Sequence, residues 1–329
     1  MRLTVLLLGT LMVSTVGPAF AQEAAPLRLM QTIPLPNVVG RIDHLAVDLK
    51  GQRLFVAALG NNTVEVVDLR SGTWIRSLTG FQEPQGVAFI AGLGKLFVSN
   101  GGTGAVNIFG GESLQPLGVV KFPNDADNVR YDASTAQLYV GYGDGTLGIL
   151  DAKDGKQLGD VKLAAHPESF QAETAGTRIF VNVPNANQIA VVDRTARRVV
   201  TTWPLTDTRA NFPMDLDEAS HRLFVGFRQP AKLLVFDTES GKVVASLDCA
   251  GDADDLFYDR ERKQIYLSGG DGFVDVFAQR AADHYVLNTK LPTAVGARTS
   301  LWVPAIRRLY LAVPPRGAQG AEVRGYDVP

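Results

Sequence analysis

Short apolar segments recur along the chain at a nearly constant spacing, and most place an aromatic residue between two aliphatic ones, as in Leu54-Phe55-Val56. They begin at Leu54, Leu96, Leu138, Ile179, Leu223, Ile265 and Leu309, at intervals of 42, 42, 41, 44, 42 and 44 residues. Aromatic and β-branched residues favour strands. A period of this length is typical of repeat architectures.

Each segment is accompanied by further apolar runs within its repeat. In the first repeat these cover residues 44–48, 64–67 and 74–78. In five of the seven repeats the run that follows the segment ends in aspartate, at Asp68, Asp151, Asp193, Asp237 and Asp327. Glycine follows several of these aspartates at turn spacing, as at Gly72 after Asp68, and this combination is typical of tight turns. The pattern therefore predicts four short strands per repeat, with no segment of helical period.

Seven such repeats predict an all-β fold, a seven-bladed β-propeller with four antiparallel strands per blade. The last repeat is one strand short, because the chain ends at Pro329 soon after the run that closes with Asp327. An additional strand-like run at residues 28–35 precedes the first repeat and resembles residues 285–291 of the sixth. We expect this N-terminal strand to complete the last blade and to close the ring, which leaves no open sheet edge.

These repeats resemble the YVTN-type propeller repeat, and residues from about 27 to 329 are similar to bacterial YncE-like secreted propellers. The resemblance implies the propeller fold and an exported protein. It implies no reaction, since members of that group are mostly described as binding proteins or have no assigned activity. The Gly-His and Trp-Asp signature of WD40 blades is missing from the repeats.

The first 21 residues have the pattern of a secretory signal peptide. Arg2 is their only charge, residues 5–13 are largely apolar, and Ala19-Phe20-Ala21 forms a small-x-small cleavage site. The apolar stretch is too short to span a bilayer, and the absence of a following cysteine excludes a lipoprotein anchor. We therefore predict cleavage near Ala21, a periplasmic or secreted location, and one propeller domain over residues 22–329 with no membrane span.

The charge of the chain limits the partners that it can bind, and its cysteine content limits the disulfides that it can form. The chain has 32 Lys and Arg against 34 Asp and Glu, and removal of residues 1–21 takes away only Arg2, which leaves a formal charge of −3. Nucleic acid is not expected as a partner, because phosphate binding requires a basic excess or a basic face. Cys249 is the only cysteine, so no internal disulfide is possible. We expect a monomer.

The candidate functional residues lie in the loops that lead into the first strand of each repeat. In a propeller these loops converge on one face of the central channel. The position eleven residues before each segment holds Asp43, Gln85, Asp127, Glu168, Phe212, Asp254 and Arg298. The position thirteen residues before holds Arg41, Glu83, Asp125, His166, Ala210, Asp252 and Gly296. The position ten residues before adds His44, Asn128, Ser169 and Asp255.

A ring so rich in carboxylates must be stabilised by a cation, by raised pKa values or by arginine. Polar residues also form turns at such positions, so a purely structural role is an alternative explanation for each residue of the ring. The first functional hypothesis is a binding propeller that takes a cationic or polar small molecule, a peptide or another envelope protein. The residues expected to bind are Arg41, Asp43, Glu83, Glu168, Phe212, Asp255 and Arg298.

The alternative hypothesis is a divalent-metal-dependent hydrolase or lyase, similar to propeller lactonases in layout but without a residue-by-residue match. Oxygen ligands suit Ca²⁺, Mg²⁺ or Mn²⁺. The candidate metal ligands are Asp43, Asp127, Asn128 and Asp254. In this hypothesis His44 or His166 acts as the catalytic general base near neutral pH. The sequence leaves the choice between binding protein and enzyme open.

Overall fold

Seven four-stranded antiparallel sheets form the protein in the computed structural model, which describes residues 26–329. The signal peptide predicted for residues 1–21 lies outside these residues. Each sheet is one blade, and in six of the seven blades the four strands are consecutive in the chain from the channel outward. The predicted seven-bladed β-propeller is therefore confirmed, and helical structure is limited to 3-10 turns of three residues in the part of the chain that is described.

The strands are numbered in chain order. The N-terminal strand is β1 (Arg28–Pro34), and the first two blades are β2 (Leu45–Asp48), β3 (Arg53–Ala58), β4 (Thr63–Asp68), β5 (Thr73–Leu78) and β6 (Pro84–Ile90), β7 (Lys95–Asn100), β8 (Ala105–Gly110), β9 (Pro116–Lys121). The third and fourth blades are β10 (Ala126–Asp132), β11 (Gln137–Tyr142), β12 (Thr146–Asp151), β13 (Gln157–Lys162) and β14 (Phe170–Ala172), β15 (Arg178–Val183), β16 (Gln188–Asp193), β17 (Arg198–Pro204). The fifth and sixth are β18 (Arg209–Asp217), β19 (Arg222–Gln229), β20 (Ala231–Asp237), β21 (Val243–Asp248) and β22 (Ala253–Asp259), β23 (Gln264–Gly269), β24 (Phe273–Ala281), β25 (His284–Pro292). The seventh blade contains β26 (Ser300–Val303), β27 (Arg308–Val313) and β28 (Glu322–Asp327).

The recurring apolar segments form the second strand of every blade and build the core between blades. Phe55, Phe97, Phe180 and Phe224 are fully buried, and they pack against side chains of the neighbouring blade, as Phe55 does against Phe89 with ring centroids 5.7 Å apart. Burial on both faces explains why these strands lack alternation with polar residues. Each blade thus depends on its neighbours for its core.

The seventh blade is closed by the N-terminal strand, as the sequence predicted. Strand β1 pairs with β28 in antiparallel register from Arg28 opposite Asp327 to Pro34 opposite Glu322. Ile33 and the following Leu35 are buried in the core between the seventh and first blades. Ring closure therefore joins the two ends of the described chain.

Left-handed backbone conformations shape the loops that enter the inner strands. Glu83, Asp125, Ala210 and Asp252 have φ between 41° and 59°. The carbonyl group of Asp252 accepts a hydrogen bond from Gly270 at 3.0 Å, and a Cβ on that glycine would lie 2.3 Å from the Asp252 carboxylate. The glycines after the second strands thus let the entry loops pack closely on the channel face.

No helix in residues 26–329 has the length and hydropathy needed to traverse a bilayer.

Candidate functional site

A cavity of about 420 Å³ lies at the channel face where the entry loops converge. It is lined by Arg41, Asp43, His44, Gln85, Asp125, Asp127, Gly143, Asp144, His166, Glu168, Asn185, Phe212, Arg228, Asp254 and Arg298. We call it the mouth cavity. Nine of the twelve residues proposed from the sequence as binding, metal or catalytic groups line it.

One wall of the mouth cavity is made of carboxylates that are neutralised by arginine. Arg41 donates to Asp43 at 2.9 Å. Asp254 lies between two guanidinium groups, with Arg228 Nη2 at 2.6 Å and Arg298 Nε at 3.0 Å. Hydrogen bonds between charged groups are stronger than neutral ones, and the two pairs of Asp254 are largely buried, whereas Arg41 is half exposed. The oxygens proposed as metal ligands on Asp43 and Asp254 therefore already accept from arginine.

Arg228 is a site residue that the entry-loop positions did not include, because it extends from the end of β19, the second strand of its blade. Its guanidinium carbon lies 3.6 Å above the ring centroid of Phe212, a cation–π contact. It also approaches Asp252 with its Nε atom at 3.3 Å. Phe212 thus packs against a cationic group of the protein itself.

The opposite wall contains three carboxylates that have no arginine partner in residues 26–329, together with a histidine. We call it the carboxylate wall, and its residues are Asp125, Asp127, His166 and Glu168. His166 Nε2 lies 3.6 Å from Asp127 and its Nδ1 lies 3.5 Å from Asp125. The same Nδ1 is 2.6 Å from the carbonyl oxygen of Gly143. One ligand atom from each of Asp127, His166 and Glu168 lies within 4.8 Å of the others, a spacing that could hold a metal ion.

Burial and mutual repulsion alter the acidity of the cavity carboxylates. Burial raises the pKa of Asp254 to about 6, although Arg228 lowers it. Burial, followed by the charges of Asp127 and Asp254, raises the pKa of Glu168 well above its usual range. Burial also raises the pKa values of Asp43 and Asp125. The cavity therefore favours positive charge, from protons or from a ligand.

The surroundings of both channel histidines favour the protonated form. Burial alone would lower the pKa of His44, but Asp255 and Asp43 raise it to about 10. Burial likewise opposes protonation of His166, whose pKa is raised to about 9 by Asp127, Gly143 and Asp125. An imidazolium cannot accept a proton, so these surroundings oppose the role of general base for either histidine at neutral pH.

Three of the proposed residues lie outside the mouth cavity. Glu83 is exposed at the rim. Asn128 is buried, and its side-chain oxygen has no hydrogen-bond partner in residues 26–329. Asp255 lies further into the channel, where it accepts from the Ser300 amide at 2.8 Å and lies 3.5 Å from His44 Nδ1.

We expect the free energy of unfolding to decrease as the pH rises from 6.5 towards 10, the pKa range of the two histidines. A raised histidine pKa means that the folded protein keeps a proton that the unfolded chain releases. Its stabilisation is complete below pH 6.5 and is lost as the pH passes the folded-state pKa. Each such group contributes a slope of up to about 1.4 kcal/mol per pH unit. Urea denaturation across this range measures the slope.

In the variant His166→Gln, the free energy of unfolding should depend less steeply on pH than in the wild type. His221→Gln is the matched control, because the His221 side chain is 56% exposed and lies outside the channel. A slope in His166→Gln equal to that of the wild type would contradict the proton assignment.

Structural comparison supports the fold. A chain of hydrazine synthase from Kuenenia stuttgartiensis superimposes with a TM-score of 0.74 at 14% identity, covering 92% of this chain and 100% of that one. A chain of a mitotic checkpoint complex gives a TM-score of 0.78 at 15% identity, with 99% of both chains covered. Neither protein-family models nor curated proteins give a match. The likeness shows the seven-bladed propeller, a fold compatible with ligand or protein binding.

Proposed function

We propose that this propeller binds a small cationic ligand at the carboxylate wall of the mouth cavity. The observation that carries the proposal is Glu168. Its carboxylate lines the cavity, and its side chain has no ion pair or hydrogen bond within residues 26–329. The carboxylates of the arginine wall are neutralised and Asp127 faces His166 at 3.6 Å, so Glu168 is the carboxylate that a ligand cation would pair with.

Electrostatics favours a cation over a neutral ligand at this wall. The charges of Asp127, Asp254 and Asp43 all disfavour ionisation of Glu168. A positive group placed among them would relieve this repulsion, which makes binding of a cation favourable in a poorly solvated cavity. A primary ammonium group or a divalent metal ion supplies that charge.

The cellular setting that we propose follows from the N-terminal segment and the repeats. The signal-peptide pattern up to Ala21 supports a periplasmic or secreted protein. The YVTN-like repeats support membership of the YncE-like group, in which a binding role is the usual description. The ligand in this setting is a small molecule, a basic side chain of a peptide or an exposed lysine of another envelope protein.

A metal-dependent hydrolase or lyase is the second candidate, and the grouping of Asp127, His166 and Glu168 favours it. Two carboxylates and an imidazole suit Mn²⁺ and zinc more than Ca²⁺. Three protein ligands leave coordination positions for water and substrate. His166 would serve as a ligand in this arrangement, and metal binding would release its proton.

A denaturation experiment with added cations tests the proposal. Mn²⁺, Zn²⁺, Ca²⁺, Mg²⁺ and the organic cation ethylammonium are each added to the protein, and the free energy of unfolding is measured with and without them. A bound cation at about 100 times its dissociation constant adds roughly 2.7 kcal/mol. The increment should vanish in Glu168→Gln and persist in Glu83→Gln, the matched exposed carboxylate of the rim.

The outcomes separate the two candidates. An increment with ethylammonium supports a binding protein. An increment with a metal ion alone, together with lactone hydrolysis by the metal-loaded protein that His166→Ala abolishes, supports the enzyme. No increment with any of the five cations would overturn both, as would an undiminished increment in Glu168→Gln.

A further inference from the structure

A second cavity, of about 300 Å³, lies deeper along the inner strands. We call it the deep cavity. His44 lines both cavities and separates them, with Nε2 3.9 Å from Asp43 and Nδ1 3.5 Å from Asp255. The deep cavity therefore belongs to the same channel but presents a different set of side chains.

Arg130, in the middle of β10, is the cationic group of the deep cavity. Its guanidinium donates to the carbonyl oxygen of Val129 at 3.1 Å. No carboxylate in residues 26–329 lies within ion-pair distance of it, in contrast to Arg41, Arg228 and Arg298 in the mouth cavity. A guanidinium has five N–H donors, and the bond to Val129 is the one hydrogen bond that the Arg130 side chain donates within residues 26–329.

The nearby carboxylates are already satisfied by other donors. Asp255 accepts from the Ser300 amide and lies beside protonated His44. Asp215 accepts from the amides of Leu216 at 2.8 Å and Tyr258 at 2.7 Å. These carboxylates and Asp127 act on Arg130 through space, while burial lowers its pKa. The poorly solvated Arg130 thus lacks a direct anionic partner, which is an unfavourable state that a bound anion would relieve.

About half of the surface that lines the deep cavity is apolar. Phe89, Met214, Phe257 and Leu301 contribute apolar side chains, and Ser169 and Gln171 add polar groups beside Arg130. Apolar walls around a few convergent polar groups are the usual composition of small-molecule sites. Inorganic anions would leave these walls without contacts, whereas an organic anion would fill them.

We propose that the deep cavity binds a small organic monocarboxylate, with its carboxylate on Arg130 and its apolar body against Phe89, Phe257 and Leu301. A bidentate carboxylate matches the guanidinium fork. A dicarboxylate is disfavoured, because the charges of Asp255 and Asp215 would repel the second carboxylate. This site goes beyond the cation site proposed above, since it differs in position and in the charge of its ligand.

Ligand-observed ¹⁹F NMR tests the proposal with 4-fluorobenzoate and its neutral analogue 4-fluorobenzyl alcohol. The carboxylate should bind the wild-type protein, and the alcohol should bind at least about tenfold more weakly, since a hydrogen bond to a charged group contributes about 1.5–3 kcal/mol. Arg130→Gln should weaken the binding of 4-fluorobenzoate by a similar factor. Arg76→Gln, at an exposed position of β5, is the matched control and should bind as the wild type does.

Three results would overturn the proposal. The first is no binding of 4-fluorobenzoate at concentrations up to about 10 mM, well above the millimolar affinity of weak ligands. The second is equal binding of the alcohol and the carboxylate by the wild type, a comparison that needs no variant. The third is loss of binding in Arg41→Gln instead of Arg130→Gln, which would place the anion in the mouth cavity.

Discussion

Replacing Arg298 with methionine is expected to destabilise the folded protein by about 3 kcal/mol, the low end of the range for breaking a buried ion pair. Arg298 donates to Asp252 at 2.8 Å and lies 3.0 Å from Asp254. Without it, Asp254 would remain buried near Asp43 with one guanidinium partner, Arg228, in residues 26–329. The loss of one of its two guanidinium partners is the source of the destabilisation, since methionine keeps most of the packing volume.

Equilibrium denaturation in guanidinium chloride measures this effect. In the double variant Arg298→Met with Asp254→Asn, the carboxylate is neutral, so we expect at least half of the lost stability to return. Arg76→Met, an exposed arginine on an outer strand, should change stability by less than about 0.5 kcal/mol. If Arg298→Met unfolds at the same denaturant concentration as the wild type, the guanidinium does not stabilise the ring of carboxylates.

Replacing Ile33 with alanine is expected to cost about 3 kcal/mol, within the range of 2–5 kcal/mol for truncating a buried isoleucine. Ile33 is fully buried and packs with Val38, Val56 and Tyr310 between the seventh and first blades. Its strand β1 connects to the rest of its blade through β28 alone. A cavity at this position therefore weakens the contact that closes the ring.

Leu29→Ala on the same strand is the control, because Leu29 is 50% exposed and its truncation should change the free energy of unfolding by less than about 0.5 kcal/mol. Both variants are compared by guanidinium chloride denaturation. Equal destabilisation by the two substitutions would contradict the assignment of Ile33 to the closing core.

The architecture could be predicted from the sequence because each blade repeats the same physical requirement. A second strand that is buried on both faces needs an apolar centre, so Leu54, Leu96 and the five equivalent residues reveal the period directly. The closing strand was also predictable, since the seventh repeat lacks a strand that residues 28–35 supply. These features depend on local composition and spacing, which a single sequence contains.

The location of the site could be predicted from the sequence, but the ion pairs between its side chains could not. Asp127, His166 and Glu168 lie in equivalent loops before the first strands, and these loops converge at the channel, so their place on one wall was predictable. The pairing of Asp254 with Arg228 was missed because Arg228 comes from a different strand of the neighbouring blade, and only tertiary structure brings the two together.

Backbone irregularities occur at two of the three proposed residues that lie outside the mouth cavity, Asn128 and Asp255. The ladder register shifts between Ala126 and Val129 and between Ala253 and Asp255. Such bulges redirect the adjacent side chains. Asn128 and Asp255 lie at these shifts, and both point away from the mouth cavity. A bulge cannot be predicted by counting positions, because the length of the repeat does not show where the extra residue lies.

Closure of the ring by β1 sets the timing of folding. Arg28 and Asp327, which are hydrogen-bonded to each other, are 299 positions apart in the chain. At a synthesis rate of about 5–20 residues per second, β1 waits roughly 15–60 s for its partner strand to be made. During that interval Ile33 lacks its contacts with the seventh blade, such as Tyr310 and Val323. Pairing across so long a loop is also slow in itself. The first strand therefore depends on the last strand of the ring, so the ring stays open until β28 has been synthesised.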